Sequence, residues 1–84
     1  MLAPTLLVVG PYHFFIFMGD CAERRHVHVN GGGGGEAKIW LEPVVGLAAT
    51  RGYTRTEMSR VVEIVADHRL TLVARWDAAC GGSR

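Results

Sequence analysis

Two short segments in the first half of the chain, 25–29 and 37–42, alternate polar with apolar residues beside two continuous apolar runs, and along the last third apolar residues recur about every 3.6 positions. Leu6–Val9 is a short apolar run closed by the turn signal Gly10-Pro11, and Tyr12–Met18 (YHFFIFM) is an aromatic run bounded by Gly19-Asp20. Both read as strands. Arg25–Val29 and Ala37–Glu42 each alternate polar with apolar, so they are expected to pair as a hairpin across Asn30 and five glycines. Five glycines exceed what a tight turn needs, and the tip is expected to be long and mobile. Pro43–Gly52 reads as a connection, with at most a short strand at Val44-Val45.

The period changes at Thr54-Arg55-Thr56-Glu57, a capping box preceded by Tyr53. After it, Met58, Val61, Val62, Val65, Leu72 and Trp76 fall on one stripe of a helix. No glycine or proline intervenes before Gly81-Gly82, so one helix of ~25 residues and about 37 Å is predicted. The expected fold class is α+β: an antiparallel sheet of about four strands packed on one long C-terminal helix. Residues 1–80 form a single small domain in this reading, and 81–84 a flexible tail.

One helix covers one face of a sheet. In the hairpin, Val27 and Val29 with Ala37, Ile39 and Leu41 supply the core face; His26 and His28 share the other with Lys38 and Trp40. In YHFFIFM both faces are apolar, Phe14 and Ile16 on one and Phe15 and Phe17 on the other, so one pair must point away from the helix. Phe15, Phe17 and Trp40 are the expected interface residues, facing a second copy or a small protein partner. Ile64 and Leu70 lie off the helical stripe, and Arg69 sits near its middle, where it needs a carbonyl or carboxylate.

Composition narrows the class. Eighty-four residues, 49% hydrophobic and 20% charged, make one small globular domain, and a formal net charge of +1 excludes a polyelectrolyte built for nucleic acid or anionic lipid. Any nucleic-acid contact would come from a local patch. Cys21 and Cys80 are too few for a disulfide framework and form no CxxC pair, so they are expected as reduced thiols of a cytoplasmic protein. Residues 1–18 carry no formal charge, yet Pro4, Gly10 and Pro11 interrupt the run and no basic segment precedes it; neither a signal nor a membrane span is expected.

The candidate chemistry sits in RRHVHVN. His26 and His28 are two apart on a strand, so their imidazoles face one way, ~6.6 Å apart along the backbone, and can converge on one point. That point could be a metal ion, with a third ligand from Asp20, Glu23, His68 or His13. It could be a phosphate or nucleic-acid contact, with Arg24 and Arg25 adding charge and Trp40 a stacking surface. It could also be two half-exposed histidines bonded to loop backbone around the Asp20 turn. Catalysis without a metal would use His26 and His28 as acid and base and Arg25 as phosphate clamp, as in RNA cleavage. His68 and Arg69 either reach this site or staple helix to sheet, and the staple is preferred. The glycine run is no phosphate loop, because no Lys-Ser/Thr follows and the next segment reads as strand. No cofactor is expected.

These residues carry a resemblance. Pro4-Thr5, Asp20, Glu23, His26-Val27-His28-Val29, Ala37–Leu41, His68-Arg69 and Trp76-Asp77, in that order and spacing, resemble the short bacterial proteins grouped as domain of unknown function 4160. The resemblance extends to about residue 78. Two features depart from it: Arg24-Arg25 stand where the family usually has prolines, and the loop holds five glycines. It implies a small member of a two-gene, toxin–antitoxin-like module acting by binding. A small ribonuclease-like toxin and a metal-binding domain are the alternatives.

Overall fold

The strand-forming part of the chain folds as an antiparallel meander in a computed structural model that describes residues 3–81. Its strands are β1 (Thr5–Val9), β2 (Tyr12–Phe15), β3 (His26–Gly31), β4 (Gly35–Trp40) and β5 (Gly46–Arg51), paired in sequence order. A 3₁₀ turn, Met18–Ala22, joins β2 to β3. The fold class is α+β as expected, with five strands rather than four. The extra strand, β5, lies within what reads as a connection. Its exposed edge position asks little of its side chains, so Gly-Leu-Ala-Ala-Thr-Arg carries no alternation that would betray it.

The β3–β4 register places Val27 opposite Ile39 and Val29 opposite Ala37 on one face, and His26 opposite Trp40 and His28 opposite Lys38 on the other. The first face joins Phe14, Ile16 and Leu41 in the core. Phe14 and Ile16 are therefore the pair that meets the helices, whereas Phe17 is 42% exposed and Phe15 half-buried.

The helical stripe is real but the helix is not single. It divides into α1 (Arg55–Asp67) and α2 (Arg69–Ala79). At His68 the backbone N–H is shared between the carbonyls of Ile64 (3.1 Å) and Val65 (3.2 Å), while the ring Nδ1 donates to Ile64 O at 2.8 Å. A side chain that captures a carbonyl of the preceding turn competes with the helical ladder and bends it. The ladder resumes when Leu72 N–H bonds His68 O. Arg69 Nε then donates to Leu41 O and Arg75 Nη1 to Leu6 O, which staples α2 to the sheet at two places. Val61, Val65, Leu72 and Trp76 are fully buried across the two helices, and each contributes roughly 1.5–3 kcal/mol of burial.

Two expectations are corrected. Cys21 and Cys80 are not free thiols: they form a disulfide spanning 59 positions of sequence, tying the 3₁₀ turn to the end of α2. Sequence spacing carried no trace of this, because only the folded sheet and helices bring the two ends together. The glycine run is not a mobile tip either. β3 continues to Gly31 and β4 begins at Gly35, so only three residues turn the chain. Gly33 N–H donates to Glu57 Oε2 at 2.8 Å, Tyr12 OH donates to the same oxygen at 2.8 Å, and Tyr53 OH donates to Gly31 O at 2.9 Å. Thr54 caps α1 by accepting from Glu57 N–H, as the capping box requires. The Glu57 carboxylate, instead of returning to the cap, holds the turn.

This clasp makes an alkaline prediction. Its hydrogen bond to Glu57, and then burial, raise the Tyr12 phenol above its ordinary value; burial first and Glu57 second push Tyr53 to about 12. A group whose folded pKa is raised contributes stability that is intact below the unfolded value, near 10, and is lost as pH climbs through the folded one. Absorbance at 295 nm should therefore show little tyrosinate in folded protein at pH 10, and the fold should weaken between pH 10 and 12. Glu57→Gln should return Tyr12 toward 10 and leave Tyr53 high. Half-ionised tyrosines at pH 10 in folded protein would refute the clasp.

Of the expected tail at 81–84, only Gly81 lies within the described residues. Its φ of +97° and its N–H bond to Ala78 O end α2. No helix among the described residues is long and apolar enough to cross a membrane.

Candidate site at the Asp20 turn

β3 leaves the 3₁₀ turn pointing His26 and His28 to the face away from the helices, and the turn swings Asp20 back over them. The carboxylate is set by its own turn: Phe17 N–H donates to Asp20 Oδ2 at 2.9 Å. His28 Nε2 lies 2.9 Å from the same oxygen and His26 Nε2 3.2 Å from it. One nitrogen of each ring and one Asp20 oxygen thus lie within 4.8 Å of one another. The strand spacing predicted this convergence; Asp20 is the third member.

The rings differ in surroundings. His26 is fully buried, edge-on to Trp40, with ring centroids 5.6 Å apart. Its Nδ1 lies 2.8 Å from Arg24 O, and a carbonyl only accepts, so Nδ1 carries the proton. Nε2 makes no hydrogen bond: at 3.2 Å Asp20 is close enough for an ion pair but lies outside hydrogen-bond geometry. His28 is partly open, stacked on Phe15 at 5.7 Å and meeting Phe17 edge-on at 5.1 Å. Burial holds His28 below the usual imidazole range despite the opposing pull of Asp20, and His26 adds to the lowering. Burial pushes the Asp20 carboxyl up, but the Phe17 N–H and the two imidazoles outweigh it, and the net shift is downward.

The other expected site residues separate. Arg24 lies over the Trp40 ring, 3.8 Å from its centroid, with Lys38 Nζ at 4.7 Å. Lys38 also pairs with Glu23 at 2.9 Å. Arg25 turns to the opposite, helix-facing side, toward α2, where Nε meets Asp77 Oδ1 at 2.7 Å and Nη1 meets Glu42 Oε1 at 2.9 Å. Those two carboxylates were missed at sequence level: Asp77 is 52 positions away, and nothing local marks it as a partner. His13 is exposed beside Asn30 on β2. His68 and Arg69 act as the helix-to-sheet staple described above, and Asp20, His26 and His28 are grouped without them.

Beside the group runs a groove of about 380 Å³ on the uncovered face, lined among others by Phe15, His28, Lys38, Ala49 and Arg51. Residues 12–77 match the family model described as "Domain of unknown function (DUF4160)". Comparison with curated proteins and with solved structures finds no match.

Proposed function

The chain belongs to the family described as domain of unknown function (DUF4160), and we propose that it is a small binding protein that engages a protein partner, or a second copy, through the uncovered face of its sheet. The observation that carries this reading is the bare apolar side of β2 and its extension. Phe17 is 42% exposed and Phe15 half-buried, beside the groove that His28 also lines, while both helices lie on the opposite face. Phe15, Phe17 and His28 cluster here with ring centroids 5.1–5.7 Å apart, and a contiguous apolar patch on an uncovered sheet face is the kind of surface that marks an interaction site. The partner in this proposal is the product of a neighbouring gene in a toxin–antitoxin-like module, and the compartment is the cytoplasm. There the thiol pool opens most disulfides, so closure of Cys21–Cys80 would accompany oxidation.

Light scattering of purified protein, alone and co-expressed with the neighbouring gene product, tests the reading. The expected result is a dimer or a stoichiometric complex that Phe17→Asp weakens by at least about tenfold, the effect of losing one aromatic anchor. A monomer that captures nothing refutes it.

A ribonuclease-like reading has less support. Arg25 is occupied by Asp77 and Glu42, His26 is sealed, and the Trp40 face on which a base would stack is covered by Arg24. RNA cleavage abolished by His28→Ala would restore it.

A further inference from the structure

We propose that Asp20, His26 and His28 form a binding site for one divalent first-row transition ion, with zinc as the representative. This stands independently of the interaction reading, because it rests on the turn and on β3 alone.

The argument begins with His26. Its ring is fully buried and its Nδ1 proton is committed to Arg24 O, so a neutral ring presents a lone pair at Nε2. That lone pair lies 3.2 Å from the Asp20 carboxylate but off the line joining them, so no hydrogen bond forms. Two acceptors this close in a buried place repel unless a positive centre sits where both can reach it. A proton on Nε2 is one such centre, but the geometry is poor for the hydrogen bond it would make. A metal ion is another, and it needs no linear arrangement.

The distances suit an ion. With ligand atoms about 2.1 Å from zinc, the 2.9 and 3.2 Å separations from the shared Asp20 oxygen each subtend roughly 90–100° at the metal. The three atoms lie within 4.8 Å of one another, and any excess over about 4.2 Å between the two nitrogens is taken up by turning the partly open His28 ring. Nitrogen and carboxylate oxygen are the ligands that borderline ions prefer, whereas calcium and magnesium prefer oxygen alone. The surrounding bonds are those of a supported site. His26 Nδ1–H donates to a backbone carbonyl and Phe17 N–H donates to the carboxylate, which fixes the ring's tautomer and the orientation of both ligands. On loading, the ion takes the place of the His28 Nε2 proton that faces Asp20, and the neutral ring changes tautomer, carrying that single proton at Nδ1 instead. Three protein ligands leave a further position, and His28 places the site beside the groove. Opposing charge is modest: Arg24 is spread over Trp40 and Lys38 is paired with Glu23.

The test is calorimetric titration of chelator-treated, disulfide-closed protein with zinc chloride, without reductant so that the cysteine sulfurs offer no competing ligands. The expected result is one equivalent bound. His28→Ala and Asp20→Asn, which retain the buried His26 ring, should each weaken binding more than about 100-fold. His13→Ala and His68→Ala, which remove imidazoles outside the group, should leave it unchanged. Cobalt substituted for zinc should give visible absorption bands, lost in His28→Ala; this keeps the proposal open to refutation should Asp20→Asn fail to fold. Absence of binding by the wild-type protein overturns the proposal, as does binding that survives His28→Ala or disappears in His13→Ala.

Discussion

Replacing both disulfide cysteines, Cys21→Ser with Cys80→Ser, is expected to cost about 4 kcal/mol of folding free energy. The bridge closes a loop across 59 positions, so it removes from the unfolded chain most of the freedom that separates the 3₁₀ turn from the end of α2. The buried core of this 84-residue domain is small and contains few large side chains besides Trp76, Phe14, Ile16 and the aliphatic stripe. Against a total of ~5–15 kcal/mol for small proteins, a loss of that size leaves little margin. Urea titration followed by tryptophan fluorescence measures it, since Trp76 is buried where α2 meets the core. Reducing the wild-type protein with dithiothreitol should reproduce the double variant's midpoint. A shift below about 1 kcal/mol would show that the bridge closes an already constrained chain.

What could be read beforehand followed from local periodicity. Val27 and Val29 on the helix-covered face and His26 and His28 on the other required only the pleat, and the Phe14/Ile16 versus Phe15/Phe17 division required only a one-sided cover; each holds. His26, however, is fully buried rather than half-exposed, beneath Trp40 and the Asp20 turn. The Thr54 cap was legible because its partner is three residues on. What failed to show was set by contacts distant in sequence. The disulfide joins ends that only the folded sheet brings together. β5 is an exposed edge strand, so its pattern had no buried face to record. The helix break at His68 depends on a side chain competing for the Ile64 carbonyl, a choice that the surrounding apolar stripe conceals. The Asp20–His26–His28 group falls between these cases. Two of its members were marked by strand spacing, and Asp20 was one of four candidate partners until the 3₁₀ turn placed it.

The glycine run is where composition misled most, and it supplies the sharpest contrast between neighbouring substitutions. Were the tip mobile, alanine at any of its positions would change stability by no more than a few tenths of a kcal/mol, or would raise it by restricting the unfolded chain. In the clasped turn the positions are unequal. At Gly34, φ is +89° and a Cβ would meet open space, so Gly34→Ala should cost only the left-handed backbone penalty, about 1–2 kcal/mol. At Gly31, φ is +99° and a Cβ would be driven into the Pro11 carbonyl, a backbone atom fixed by the neighbouring β1–β2 turn. Neither Pro11 nor the Tyr53 hydroxyl bonded to Gly31 O can retreat without parting β2 from β3 or releasing Tyr53. Gly31→Ala is therefore expected to cost more than about 3 kcal/mol, the backbone penalty together with the displaced pairing. Gly35→Ala, whose Cβ would lie 2.6 Å from Tyr53 N, should fall nearer Gly31 than Gly34. Equilibrium denaturation of the three variants ranks them directly. Equal and small losses at all three would mean that the turn is loose after all, and that Glu57, Tyr12 and Tyr53 do not hold it.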